Sequence, residues 1–557
     1  MSSSQQSGRP DLPTADTSIT TRGQWMALTA ALLGWMFDGA EMGVFSMVGR
    51  RAIGDLLGFS KPILNADGGA AAIGISQALQ YTKPTLEQEN QIAMAFGLII
   101  AVFLVGAAAG GVLFGWLGDR IGRVRAMSLS VLVYAVFTGF CGFAETPLQL
   151  GVLRFIASLG MGGEWALGVA LVMEVWPNRS RALMAGLIGA AANAGYLLVG
   201  IISMGLNSVI ASVESLLIGS GLGTELVAKL VSNDGWRIMM MLGTLPALLT
   251  FFFRIFVPES HKWEEGKSKG HTTGWRTEDL LGVVLGCLGP ALIIYVWTGE
   301  HATWERIAGT PIGLAIATIG FSYPVVRYLQ RQVANEGAAG MTMSMRMILG
   351  RMFLGACLSG VALLGTWGTT QWAMAWSGKL AAKAAVESPG LLDRFPTQWA
   401  QITVAIGAIT GTLLAAWLGE KLGRRLTYAV LCVASIASVL YLYQMHNQFG
   451  LPLLFAAFVA GVCTASFYGW LPLYLPELFP TRVRATCQGF GFNFGRILAA
   501  IGTLQMSALL GQLSGFTTYA GEVGSYPVAC SFLTVFYLVG IVLIFFAPET
   551  KGKPLPQ

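Results

Sequence analysis

Residues 115–123 of the chain read GWLGDRIGR, and residues 416–424 read AWLGEKLGR. A second pair of segments is repeated as well, EVWPNRSRALMAG at 174–186 and ELFPTRVRATCQG at 477–489. The copies are 301 residues apart in the first pair and 303 in the second, so the spacing is almost constant. Such a spacing indicates two related halves, each built from the same unit.

The composition indicates a membrane protein. Hydrophobic residues make up 54% of the 557 residues and charged residues 11%, whereas soluble domains contain about 25% charged residues. Apolar runs longer than about 18 residues recur throughout, and each can cross a bilayer as a helix. The positive residues behind the net charge of +6 lie in short loops between these runs, a pattern that orients a membrane protein. We therefore expect the lipid bilayer as a partner and no nucleic acid.

The apolar runs predict an all-α integral membrane fold. A first half, 25–257, contains predicted spans near 25–47, 92–117, 126–144, 148–173, 182–205 and 237–257. A second half, 347–547, contains six more near 347–376, 398–418, 427–445, 451–475, 485–511 and 527–547. Between them, 258–346 is a cytoplasmic loop with two further apolar runs, 280–298 and 308–329, which predict an inserted transmembrane hairpin (280–329). The sequence thus predicts two pseudo-symmetric six-helix bundles plus a two-helix hairpin, about 14 transmembrane helices.

The basic residues predict the orientation. With both termini in the cytoplasm, about 24 of the 35 Lys and Arg residues lie on that side. Arg50 and Arg51, just after the first span, run against this rule. Residues 1–24 are polar and contain no hydrophobic signal segment, so we expect a disordered cytoplasmic tail there and a second short tail at 548–557. We expect a multi-pass protein of the inner or plasma membrane.

The sequence does not indicate an enzyme. Its seven cysteines show no CxxC pairing, and all but Cys487 lie in apolar spans, which argues against a disulfide framework or a metal cluster. The chain contains no nucleotide-binding loop, metal-ligand spacing or nucleophile motif. We expect neither a metal nor a cofactor.

The repeated loops predict a gate at the cytoplasmic face. Glycines allow a tight turn, and the acids and arginines of the two loops can form contacts that hold in one conformation and separate in another. The alternative is that these charges act only as topology signals and helix caps. The predicted gate residues are Gly118, Asp119, Arg120, Gly122, Arg123, Glu174, Arg181, Gly419, Glu420, Lys421, Gly423, Arg424, Glu477 and Arg484.

The chain resembles the major facilitator superfamily of secondary transporters. The likeness rests on GDRIGR with its copy GEKLGR, on PESHKWEE at 258–265, on PETKGKPLP at 548–556 and on RFIASLGMGGEW at 154–165. The last segment is similar to the metabolite:proton symporter branch, which includes sialate, lactate and aromatic acid carriers, and the inserted hairpin resembles the sialate carriers. The resemblance implies alternating access, in which two bundles rock about a central site. We expect a monomer.

Four ionisable residues within predicted spans are candidates for proton coupling, because a charge at bilayer depth is costly. Asp38 lies near the midplane of the first span and Glu41 follows one turn later. Arg154 and Glu164 lie in the fourth span. We predict Asp38 as the proton carrier with Arg154 as its partner, since proton-coupled sugar porters carry an Asp and an Arg at these places. Glu41 and Glu164 are either additional coupling groups or structural residues.

Arg496 is the leading candidate for substrate binding. It lies near the midplane of the eleventh span, and the offset of 303 residues relates it to Asn193 in the fifth span. A guanidinium can bind a carboxylate through two hydrogen bonds, so we predict an anionic substrate. The alternative is an ion pair between Arg496 and a neighbouring acid. Further candidates at this depth are Asn493, Tyr196, Gln371, Trp372, Tyr468 and Trp470.

The sequence favours proton-coupled symport of a small organic anion, such as a monocarboxylate, a sugar acid or an aromatic acid, together with protons. Two alternatives stay open. The PES and PET segments favour a carrier of neutral sugars or polyols, and a third possibility is a non-transporting membrane sensor with the same fold.

Overall fold

The computed structural model describes residues 21–59, 62–64, 79–81, 85–176, 180–244, 257–268, 275–298, 301–336, 343–384, 390–513, 515–522 and 526–556. Most of the predicted N-terminal tail lies outside the described residues, as does 245–256 of the predicted sixth span.

The N-terminal half is a series of long helices. Their bounds are α1 Thr21–Leu56, α2 Leu86–Ile121, α3 Arg123–Cys141, α4 Pro147–Val175, α5 Arg181–Gly219 and α6 Thr224–Leu242. Between α1 and α2, the short strands β1 (Pro62–Leu64) and β2 (Leu79–Tyr81) pair antiparallel, with Pro62 opposite Tyr81. This two-stranded pairing is a small departure from the predicted all-α fold.

The middle segment contains a short helix and two long ones, α7 His261–Ser268, α8 Leu280–Thr298 and α9 Thr303–Glu336. Helices α8 and α9 pack closely along glycines, since a Cβ on Gly320 would lie 2.3 Å from the Cα of Gly286. Their opposite faces expose large apolar side chains such as Leu281 and Ile319. The two helices form a closely packed pair at the place of the predicted hairpin (280–329), and its insertion in the membrane stays a prediction.

The C-terminal half is more broken than the N-terminal half. Its helices are α10 Met345–Gly368, α11 Ala373–Ala384, α12 Leu391–Arg394, α13 Pro396–Leu422, α14 Arg424–Gln444, α15 Leu451–Thr464, α16 Phe467–Tyr474, α17 Arg484–Asn493, α18 Gly495–Gln512, α19 Tyr526–Leu533 and α20 Val535–Leu543. The 3₁₀ turns are Thr277–Asp279, Thr370–Trp372, Leu475–Leu478 and Ile544–Phe546.

Eleven described helices are long and apolar enough to cross a membrane. Helix α1 is not among them although it is 36 residues long, because Asp38 and Glu41 lower its mean hydropathy. Part of the sixth predicted span lies outside the described residues. The predicted total of fourteen therefore stays a prediction, while the multi-pass helical architecture is established.

The two motif loops fold alike. Gly122 (φ 115°) separates α2 from α3, and Gly423 (φ 93°) separates α13 from α14 at the equivalent position. Positive φ angles of this kind favour glycine, since other residues place Cβ against the backbone. Each glycine thus allows two long helices to meet in an abrupt turn. We call this end of the molecule the motif-loop end.

The halves contact each other along two seams. Helix α2 packs on α17 and α18, and α5 packs on α13 and α16. The backbones approach closely, because a Cβ on Gly489 would lie 2.3 Å from the carbonyl oxygen of Gly111. Between the seams the halves enclose a cavity.

Candidate functional site

A cavity of about 110 Å³ lies between the halves. It brings together six of the predicted site residues, namely Asp38, Asn193, Tyr196, Gln371, Tyr468 and Arg496. The first three come from α1 and α5 of the N-terminal half, and the other three come from the C-terminal half. The offset of 303 residues that relates Asn193 to Arg496 therefore does join two positions on one cavity.

The buried acids are arranged differently from the predicted pairing. Arg154 forms an ion pair with Glu41, not with Asp38, and its guanidinium lies over the rings of Phe45 and Phe103 at 4.5 and 4.3 Å. The reason is the antiparallel packing of α1 and α4. Arg154, near the start of α4, meets the acid closer to the end of α1.

Asp38, one turn earlier in α1, faces deeper into the protein. Its carboxyl group interacts electrostatically with those of Glu164 and Glu41 and with the guanidinium of Arg496 across the cavity. Glu164 lies ten residues after Arg154 in α4, so the same antiparallel packing brings it to Asp38. Asp38 is therefore the acid that lines the cavity, whereas Glu41 is held by Arg154.

Arg496 is buried at the cavity wall. Its guanidinium lies 5.5 Å from the ring centre of Phe492, and among the described residues Nε and Nη1 have no hydrogen-bond partner. Asp38 is near enough to attract it but forms no ion pair within 4.0 Å. An arginine with unused donors facing a cavity has the chemistry to bind an anion.

Three predicted binding residues do not line this cavity. Asn493 is fully buried and donates to the carbonyl oxygens of Gly162 (2.9 Å) and Gly489 (3.1 Å), so it joins the halves. Trp470 is also fully buried, and its indole N–H donates to the carbonyl oxygen of Arg424. Trp372 lies at a second cavity near the opposite end of the molecule.

The motif loops form the same network in each half. In the C-terminal half, the guanidinium of Arg424 binds Glu477 at 2.6 and 3.0 Å and the carbonyl oxygen of Gly419 at 2.7 Å. In the N-terminal half, Arg123 approaches Glu174 at 3.6 Å and binds the carbonyl oxygen of Gly118 at 2.8 Å.

The loop arginines pair across the two halves. Arg484 donates to Glu174 over 3.0 Å, and Arg181 faces Glu477. Glu174 thus contacts arginines of both halves, Arg123 and Arg484. Glu477 is bound by Arg424 of its own half and faces Arg181 of the other. These contacts close the motif-loop end.

The two loops differ at one position. Asp119 is buried, pairs with Arg123 at 2.7 Å and accepts hydrogen bonds from the backbone N–H and the hydroxyl of Thr486, at 3.0 and 2.5 Å. Its counterpart Glu420 is exposed. Arg120 and Lys421 also lie outside the buried network, with Arg120 donating to Thr277 at 2.8 Å and Lys421 exposed.

Comparison with known proteins identifies the family of the chain. The family described as "Sugar (and other) transporter" matches residues 67–273, and the one described as "Major Facilitator Superfamily" matches residues 388–557. The chain belongs to the major facilitator superfamily. It is a transporter family, and the chain is not an enzyme.

Relatives of this transporter cover nearly all of it. A putative metabolite transport protein of Haemophilus influenzae is 25% identical over 82% of this chain and 88% of its own length. The cis,cis-muconate transport protein of Acinetobacter baylyi is 23% identical (86% and 91%), and low affinity inorganic phosphate transporter 4 of Petunia hybrida is 25% identical (97% and 92%). The xylose-proton symporter XylE of E. coli, bound to a bromo-deoxyglucose, shares the fold with a TM-score of 0.60 at 16% identity (96% and 98%).

The transporter also uses residues that the sequence analysis did not single out. Trp165 stacks on Phe492 with ring centres 3.7 Å apart, which joins the halves at the cavity wall. The offset of 303 residues relates Trp165 to Tyr468, so the repeat could have identified it. The side chains of Trp165 and Tyr468 both line the cavity.

The PES and PET segments join the hydrogen-bond network of the motif loops. Glu259 accepts hydrogen bonds from the backbone N–H of Arg123 (2.7 Å), and Glu549 accepts from that of Arg424 (3.0 Å), so each caps a helix of its half. The hydroxyl of Ser260 donates to Glu174, and that of Thr550 donates to Glu477. Besides resembling family signatures, these segments therefore stabilise the motif loops.

The carboxyl groups of the two caps differ in environment. Burial raises the pKa of Glu259 above its usual range. At Glu549 burial also acts to raise the pKa, but several backbone N–H donors together hold it below its usual range. The more exposed cap, Glu549, is therefore the stronger acid.

The transporter is closed at the motif-loop end and open at the other. A vestibule of about 690 Å³ lies at the opposite end and shares Trp367, Gln371 and Met374 with the cavity. At the boundary, the hydroxyl of Tyr196 donates to the side-chain oxygen of Gln371 over 2.9 Å, which joins the halves. A small number of contacts thus separates the cavity from the vestibule.

Proposed function

We propose that this transporter is a proton-coupled symporter of a small organic anion, such as a monocarboxylate, a sugar acid or an aromatic acid. The single observation that carries the proposal is the geometry of Arg496 and Asp38. The arginine faces the cavity with unused donors, and a carboxyl group lies opposite it on the other half. One residue can bind the anion while the other carries the proton.

The two charges supply a coupling mechanism. Without substrate, the guanidinium of Arg496 attracts the carboxyl group of Asp38 across the cavity and favours its ionised form. A bound carboxylate neutralises Arg496, and Asp38 then takes up a proton because two anions beside one cation are unfavourable. With a monocarboxylate bound, the charges of Arg496, Asp38 and the substrate then sum to zero, which allows the halves to rock around the loaded cavity.

The surroundings favour a solute with a planar or unsaturated body. Trp35, Trp165, Tyr468 and Phe492 line the cavity, and aromatic rings of this kind bind flat apolar groups. The relative that carries cis,cis-muconate, a planar unsaturated acid, supports this class. Neutral sugars are the main alternative, because the N-terminal family match and XylE point to sugar transport.

We infer from the basic residues of the motif loops that the motif-loop end faces the cytoplasm. Both termini then lie on the cytoplasmic side of the inner or plasma membrane. The structure in this orientation is an outward-facing state whose cytoplasmic gate is closed. The inserted hairpin brings the predicted number of membrane helices to fourteen, and the chain acts as a monomer.

A ligand screen tests the substrate class. A ligand that binds the folded protein raises its Tm. We expect cis,cis-muconate and nicotinate to raise the Tm of the purified transporter, and D-xylose and inorganic phosphate to leave it unchanged. A shift with xylose alone favours the sugar carrier, and a shift with phosphate alone favours a phosphate carrier.

A substitution then tests the residue. Arg496→Lys keeps the positive charge but removes the paired donors, so muconate affinity falls on the order of tenfold. Arg346→Lys, an exposed arginine at the start of α10, is the control and keeps wild-type affinity. Unchanged affinity in Arg496→Lys contradicts the proposed role.

A further inference from the structure

The vestibule at the open end carries an excess of positive charge. Among the described residues, its lining contains Arg50, Arg51, Lys379 and Arg394 but a single carboxylate, that of Glu89. These cations lie at the end of the molecule opposite the motif loops, where the predicted orientation leaves the smaller share of the basic residues. Topology does not explain them, so they invite a functional explanation.

The single acid is already paired. Glu89 binds Arg50 at 2.7 Å, and both side chains are partly exposed. The ammonium of Lys379 instead contacts the ring of Tyr526, 4.4 Å from its centre, and lies within electrostatic range of both Arg50 and Glu89. Because Glu89 already pairs with Arg50, the charge of Lys379 gives this part of the vestibule a positive potential.

An aromatic surface lies beside these charges. Trp372 stacks on Tyr526 with ring centres 5.1 Å apart and planes 22° apart. Lys379 covers the ring of Tyr526, so a cation and two stacked rings adjoin one another. Gln371, next to Trp372, also lines the central cavity, so this surface leads directly to it.

We propose that Lys379, with Trp372 and Tyr526, forms a first binding site for the carboxylate substrate in the vestibule, where an anion with a flat apolar body is held before it reaches Arg496. This inference rests on the proposed function and names the class more closely: a planar carboxylate, bound by its charge at Lys379 and by its face at the two rings. Narrow clefts with charge of one sign raise the local concentration of oppositely charged ligands and their association rates by about 10 to 1,000-fold.

The first test measures the vestibule without any substrate. Thr397 lines the vestibule and lies beside Gly378, next to Lys379. In a Thr397→Cys variant, we expect an anionic methanethiosulfonate to modify the thiol faster than a cationic one, as read by mass spectrometry of that peptide. Adding Lys379→Glu reverses the preference, whereas adding Lys383→Glu does not.

Lys383 is a matched control. It lies one turn after Lys379 on α11, makes an ion pair with Glu522 at 2.8 Å and does not line the vestibule. Both charge reversals change the net charge of the protein equally. Any difference between them therefore comes from position.

The second test measures uptake of labelled cis,cis-muconate into proteoliposomes. Lys379→Glu raises KM on the order of tenfold with little change in the maximal rate and weakens the salt dependence of KM. Lys379→Arg and Lys383→Glu keep the wild-type KM. These results support the vestibule site, since a structural defect would lower the maximal rate.

The outcomes separate the two proposals. Equal reagent preference in all variants, or an unchanged KM in Lys379→Glu, overturns the vestibule site and leaves the role of Arg496 untouched. A Lys379-dependent reagent preference without muconate uptake by the wild type supports an anion-attracting vestibule and contradicts the proposed function.

Discussion

Arg484 of the C-terminal half donates a hydrogen bond to Glu174 of the N-terminal half at a distance of 3.0 Å, and both side chains are completely buried. Glu174 also accepts from the hydroxyl of Ser260, 2.6 Å away. A buried ion pair between two bodies that must separate acts as a latch. It holds the closed state strongly but is lost once water reaches it.

Removing the acid should open this latch. Glu174→Gln leaves the guanidinium of Arg484 buried without its counter-charge, a change that costs the closed state about 3 to 5 kcal/mol. The molecule then populates states open at the motif-loop end. Cys487, buried next to Arg484 in α17, should react with N-ethylmaleimide much faster than in the wild type. Equal labelling rates contradict the latch.

The asymmetry between the repeated loops predicts that substitutions at equivalent positions affect transport differently. Asp119 is buried and binds Thr486 and Arg123, whereas its counterpart Glu420 is exposed. Asp119→Asn should lower the maximal transport rate on the order of tenfold or more, since it weakens a buried charged hydrogen bond. Glu420→Gln should transport at the wild-type rate. Equal loss in both variants shows that the two loops act alike, contrary to the structure.

Backbone contact between the halves makes a third prediction. A Cβ at Gly489 would lie 2.3 Å from the carbonyl oxygen of Gly111, so Gly489→Ala should keep the halves from closing at the motif-loop end. Gly491, two residues later, has nothing within 3.8 Å of its Cβ position and serves as the control. We expect Gly489→Ala to express and fold but to lose most transport, and Gly491→Ala to keep it. Normal transport by Gly489→Ala would show that transport does not require the close approach of Gly489 to Gly111.

The cap at Glu549 predicts a dependence of stability on pH. Because the pKa of this carboxyl group is lower in the folded protein, its ionised form stabilises the fold above its ordinary pKa, and that contribution is lost as the pH falls through the folded-state value. Near neutral pH, Glu549→Gln should lower stability by about 1 kcal/mol, the usual value of a cap. The Tm difference between wild type and variant should shrink as the pH falls from the ordinary pKa of a glutamate through the lower folded-state value. A constant difference contradicts the role of charge.

Much of the fold could be predicted from the sequence because apolar runs and loop charges report directly on membrane helices. The offset between the halves also placed Asn193 and Arg496 on one cavity. Side-chain partners across helices were harder to predict, since they depend on helix direction and rotation. The antiparallel packing of α1 on α4 brings Arg154 into an ion pair with Glu41, and residue spacing within each helix could not reveal this pair.

Contacts between the halves were least predictable. Glu174 and Arg181 lie close in sequence, but each meets a residue from the other half about 300 positions away. Asn493 and Trp470 lie at a suitable depth for the cavity. However, the rotation of their helices points both side chains at neighbouring helices instead of the cavity. The duplicated motif shows which residues take part in the gate, and only the packing of the halves shows which of them meet.

If Asp38 carries the proton that enters with one anion, then anion uptake must move protons into the vesicle. Proteoliposomes with clamped membrane potential and an internal pH indicator receive external cis,cis-muconate. We predict that the wild type acidifies the interior as muconate enters, and that Asp38→Asn exchanges labelled muconate without acidification. Acidification by Asp38→Asn at the wild-type rate would contradict the role of Asp38 as proton carrier. Muconate entry into wild-type vesicles without any proton movement would contradict proton coupling.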